Sequence, residues 1–170
     1  MFKPKLALKF DEREGCILKT CEFDASGTKV GEARYIRVKV TNESRLIARE
    51  AGAYLTNIEK RKENGNFGAT EYCDSIPLAW SCQGKTDRFK QIGLPKDVNQ
   101  FVDVIVTREK SAAFDPQVFA RPYRYVSLFN KKGIFRFTIQ VSAAGADPAT
   151  IKLVLDWRGV WDDFAISVDE

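Results

Sequence analysis

Arg34-Tyr35-Ile36-Arg37-Val38-Lys39-Val40 alternates with period two: Ile36, Val38 and Val40 fall on one face, Arg37 and Lys39 on the other. This is the pattern of a strand with one buried side. The same alternation returns at Phe135, Phe137, Ile139 and Val141, and at Ile151, Leu153, Leu155 and Trp157. It begins the chain at Leu6, Leu8 and Phe10. Further extended pieces are read at residues 17–23, 53–60, 67–73, 76–81, 89–94 and 101–107. Turn-rich breaks at 24–31, 41–44 and 95–97 separate them, and Asn64-Gly65 marks a hairpin with a two-residue loop. Residues 44–51 are the one place where Leu46, Ile47 and Glu50 have helical spacing, before Gly52 stops it.

Eight to ten short strands with no long helix predict an all-β fold, a single immunoglobulin-like β-sandwich over residues 1–170 with one long loop insertion at 111–130; a closed barrel is the alternative. No repeat or low-complexity linker divides the 170 residues, which suit one domain. The expected core is Ile36, Val38, Val40, Trp80, Val102, Val104, Phe135, Phe137, Ile139, Leu153 and Leu155.

Composition narrows the function. The chain has no histidine, which removes Ser-His-Asp triads, Cys-His dyads and histidine-based zinc proteases and pH switches. The net charge of +4 is too small for a dedicated nucleic-acid binder. Cys16, Cys21, Cys73 and Cys82 lack zinc-ribbon spacing and read chiefly as buried thiols, with a Cys73–Cys82 disulfide as the alternative in an oxidising compartment. No metal ligands and no cofactor motif are identified, and the oligomeric state is left open. The N-terminus carries no signal-peptide run and no window is apolar enough for a membrane helix, so the expectation is a cytoplasmic protein or a soluble domain excised from a longer one. Asn42-Glu43-Ser44 matches a glycosylation sequon.

Tyr35-Ile36-Arg37-Val38-Lys39-Val40-Thr41-Asn42-Glu43-Ser44, followed by Ala48 and a strand ending near Ile58, resembles bacterial immunoglobulin-like modules of the CARDB type. In those an alternating strand ends in an Asn-Gly or Asn-Ser turn and a small residue opens the next strand. Ile92-Gly93-Leu94-Pro95 before the strand at Phe101, and the closing Phe135 to Val141 segment, are similar in layout. The resemblance covers about half the chain. It departs in the extra N-terminal strands, the 111–130 insertion and the tryptophan-rich tail. It implies an interaction or spacer module without catalysis and carries no site residues.

Three constellations are candidates for function. The loop 114–129 interleaves rings and guanidinium groups in Phe119-Ala120-Arg121-Pro122-Tyr123-Arg124-Tyr125, with no acid between Pro116 and Gln140. Arg121, Tyr123, Arg124 and Tyr125 are therefore the expected contacts to a protein partner or an anionic ligand, with a self-contact of either arginine to Asp162 or Asp163 as the rival. The tail 156–164 brings Trp157 and Trp161 among acids, the ingredients of a carbohydrate-binding platform or of a Ca²⁺ site. Asp103, Asp156, Asp162 and Asp163 are available as carboxylates, but no motif pairs them for glycoside hydrolysis, and no catalytic residue is assigned.

Overall fold

The computed structural model describes residues 2–170. Among the described residues thirteen strands run in the order β1 (Leu6–Lys9), β2 (Ile17–Phe23), β3 (Lys29–Asn42), β4 (Ala48–Arg61), β5 (Phe67–Ala69), β6 (Ile76–Pro77), β7 (Ala79–Trp80), β8 (Ile92–Leu94), β9 (Gln100–Arg108), β10 (Phe114–Pro116), β11 (Gly133–Ser142), β12 (Ala149–Trp157) and β13 (Phe164–Val168). They form two antiparallel sheets packed face to face as a β-sandwich. The first sheet is β1-β3-β9-β10, with β2 also on β3 and β7 on β9; the second is β13-β12-β11-β4-β5, with β6 and β8 also on β4. Among the described residues no helix is long and apolar enough to cross a membrane.

The period-two pattern places the core where it was expected. All eleven residues named above are at most 1 % exposed. Phe114, on β10 of one sheet, meets Phe135, Phe137 and Trp157 of the other, with ring centroids 5.0, 5.7 and 6.1 Å away. The two sides of the sandwich differ. On one side the chain changes sheets within a few residues: Ile76–Pro77 pairs with β4, then Ala79–Trp80 pairs with β9. The segment after β10 runs antiparallel along this crossing, with the Ala79 amide donating to the Gln117 carbonyl (3.2 Å) and the Phe119 amide to the Pro77 carbonyl (2.9 Å). On the other side β2 and β13 are both edges.

Four local expectations are corrected. Residues 44–51 hold no helical turn: β4 starts at Ala48, and Ala48, Ala51 and Ala53 are buried. Burial of these small side chains overrides the weak helical spacing, and Glu50 takes a left-handed φ of 53° at an irregularity in the β4–β8 pairing. The β4–β5 hairpin is closed by the Lys62 amide donating to the Asn66 carbonyl (2.8 Å), leaving three loop residues. Only Gly65 there has positive φ, 86°, whereas a two-residue Asn-Gly loop needs two such residues. Residues 89–94 are extended only over Ile92–Leu94. All four cysteines are free, and only Cys16 is buried; Cys21, Cys73 and Cys82 are exposed thiols.

Asn42, the sequon asparagine, is fully buried. Its amide donates to the carbonyls of Leu46 (2.6 Å) and Leu94 (2.9 Å), and its oxygen accepts from the Ser44 amide (3.1 Å) and hydroxyl (3.0 Å). The nitrogen that a glycan would occupy is thus committed to tying the β3–β4 crossing to β8.

Candidate functional site

The insertion is more ordered than an irregular loop. After β10 it forms a 3₁₀ turn at Tyr123–Tyr125 and a short α-helix, α1, at Val126–Phe129. Tyr125, Leu128 and Phe129 stand at i, i+3 and i+4, and all three are buried. This helical spacing was present in the sequence but was masked by Pro116 and Pro122. Ala120 has a left-handed φ of 45° and turns the chain between Phe119 and Arg121.

The four candidate contact residues do not share one environment. Tyr125 belongs to the core, with its ring 4.8 Å from that of Tyr72, so it offers no surface to a partner. Its hydroxyl donates to Asp74, which also holds the Arg124 guanidinium. These two donors keep the Asp74 carboxyl below the usual carboxylate range, the hydroxyl contributing most. Burial, then the neighbouring carboxylate, pushes the Tyr125 phenol up. Arg124 lies over the Tyr125 ring, 4.9 Å from its centroid. Arg121 pairs with Asp115 at 2.7 Å, and Asp115 also receives Arg108. The rival self-contact with Asp162 or Asp163 does not form; each guanidinium pairs with another acid, and Asp163 pairs with Arg158.

Tyr123 makes no such commitment and is 90 % exposed. The same segment exposes Phe119, 55 % exposed and packed edge-on against Phe89 with centroids 5.4 Å apart, and Val126. Phe119 and Val126 were not assigned from sequence, because an apolar residue in a strand-rich chain reads as core. The segment 119–126 thus exposes three apolar or aromatic side chains and carries two guanidinium groups, each held by a carboxylate.

The other constellations resolve differently. Trp157 is buried and its indole nitrogen donates to the Ala112 carbonyl (3.1 Å); Trp161 is partly covered, with the Arg34 guanidinium 4.5 Å from its ring centroid. The two rings form no exposed row, so the tail gives no sugar platform. Asp156 and Asp163 both bond Arg158, while Asp103 lies on β9 with Ser81 donating to it. Among the described residues no three metal-ligating side chains gather.

Asp103 is nonetheless perturbed. Burial raises its carboxyl above the ordinary range, against the Ser81 hydrogen bond and the charges of Arg37 and Arg88. A raised carboxyl is protonated more readily in the folded chain than in the unfolded one, so its contribution to stability is lost as pH rises from about 4 towards its folded value. Asp103→Asn is expected to gain stability relative to the parent at pH 7 and to lose that advantage at pH 4. Urea titrations of both proteins at the two pH values check this; an equal difference at both would refute it.

Comparison with known proteins finds no matching family model, no matching curated protein and no matching solved structure.

Proposed function

We propose that the chain is a non-catalytic interaction module, a β-sandwich that binds a protein partner through the surface of Phe119, Arg121, Tyr123, Arg124 and Val126. The observation that carries this reading is Tyr123, 90 % exposed on a segment hydrogen-bonded to the sheet crossing and anchored by buried Tyr125 and Phe129. Tyrosine and arginine are over-represented among the residues that dominate interface energies. Loops on a rigid scaffold are where such contacts are commonly carried. An anionic ligand is the weaker reading, since Arg121 and Arg124 each already hold a carboxylate. The module is read as immunoglobulin-like, of the bacterial CARDB-type layout, working in the cytoplasm or as part of a longer protein.

Tyr123→Ala separates binding from folding. Its side chain is almost wholly solvated, so the melting temperature should move by about 1 °C or less. Loss of an interface hot spot costs about 2 kcal/mol, near thirtyfold in affinity. Quantitative affinity capture from the native host, comparing the parent with Tyr123→Ala and Arg121→Ala, should show one protein retained by the parent and depleted by both variants. Identical captured sets would overturn the assignment.

A further inference from the structure

The open side of the sandwich holds a cleft of about 470 Å³ between edge strands β2 and β13, away from the surface proposed above. Its apolar wall is Ile17, Phe164 and Ile166. Its rim carries three cations, Arg13, Lys19 and Arg34, against two acids, Glu12 and Asp162. None of these five forms an ion pair among the described residues, in contrast to the paired Arg121, Arg124, Arg136 and Arg158.

The strands beside the cleft are guarded unequally. Edge strands normally carry a lysine, a proline or another charge that prevents pairing with a foreign chain. β2 has Lys19 and Glu22; β13 reads Phe164-Ala165-Ile166-Ser167-Val168, with no charge and no proline. The Asp169 amide donates to the Lys152 carbonyl (2.9 Å), and Ser167 and Ala165 stand opposite Val154 and Asp156. By the alternation of an antiparallel ladder, odd-numbered residues bond to β12, while Phe164, Ile166 and Val168 direct their backbone groups to the free edge.

We propose that β13 is a β-augmentation site for an extended acidic segment of a partner protein, which pairs with its free edge and lays acidic side chains towards Arg13, Lys19 and Arg34. The backbone ladder supplies affinity, and the alternate side chains entering the cleft supply selectivity. The flanking acids Asp163 and Asp169 are already held by Arg158 and Arg136, so the three rim cations without ion-pair partners among the described residues select acid over base. This goes beyond the Tyr123 surface and does not depend on it.

The test uses the full chain and two fluorescein-labelled ten-residue peptides. One alternates threonine with glutamate or valine; the other has lysine in place of each glutamate. Fluorescence anisotropy at low salt should show the acidic peptide binding about tenfold or more tightly than the basic one, with the difference shrinking as salt screens it. Arg13→Glu/Lys19→Glu, at two exposed positions that leave the core intact, should abolish or reverse the preference. Val168→Pro removes one outward amide without touching the β12 bonds and should weaken the acidic peptide about tenfold. Equal binding of the two peptides, binding of neither, or an unchanged preference in the double variant overturns the proposal. So does a parent dimer, seen by sedimentation, that Val168→Pro converts to monomer, because the edge would then serve a second copy.

Discussion

Phe114→Ala is expected to lower stability by about 3–5 kcal/mol, the range for truncating a fully buried phenylalanine. The ring is 0 % exposed and lies within 5.0–6.1 Å, centroid to centroid, of Phe135, Phe129, Phe137 and Trp157. It comes from a three-residue strand of one sheet, and three of its four ring neighbours come from the other, so it joins the layers at their most aromatic point. Truncation leaves a void bordered by stiff rings, which relax poorly into it. The urea midpoint should fall with little change in slope, and the melting temperature should drop by about 6–20 °C. Phe114→Leu keeps most of the volume and should cost far less. A loss below about 1 kcal/mol for the alanine variant would mean that the aromatic cluster does not hold the sheets together.

Asn42→Ala is expected to cost about 2–3 kcal/mol. The residue's contribution is polar: four hydrogen bonds from one buried amide join Leu46, Leu94 and Ser44. Alanine leaves the two carbonyls without that donor in a buried setting, and an unmet buried polar group costs about 1–3 kcal/mol. Asn42→Asp should be at least as damaging, since a carboxylate would face two carbonyl oxygens. Thermal melts of the two variants check this. If Asn42→Asp melts within a degree or two of the parent, the amide does not hold the crossing as described.

Much of the fold is legible in the sequence. Ile36, Val38 and Val40, or Phe135, Phe137 and Ile139, reveal a buried face because strand alternation is a local property, written in consecutive residues. Elements set by tertiary contact were less readable. Ala48 and Ala51 look like helix formers until their burial against β8 is known. Ile76–Pro77 and Ala79–Trp80 look like one strand, yet they belong to different sheets. In the candidate site, Tyr123 and Tyr125 are the same residue type two positions apart, one solvated and one in the core. Their difference comes from a helical turn that carries Tyr125 towards Tyr72 and Asp74, partners about fifty positions away in the chain. The edge position of β13 was invisible for the same reason, because which strands have a free side is decided only when the sheets assemble.

The change of sheets between Ile76 and Trp80 makes the sandwich behave like a bound book. Along the spine the layers share continuous backbone, and the bonds of Ala79 and Phe119 stitch a second pass of chain across it. At the fore-edge, β2 and β13 share no ladder. Parting the covers there breaks side-chain contacts, whereas parting them at the spine must break backbone hydrogen bonds. Breathing motions are therefore expected to concentrate at the fore-edge, and hydrogen exchange should reach the amides of β13 ahead of those in β11, which is laddered on both sides by β4 and β12.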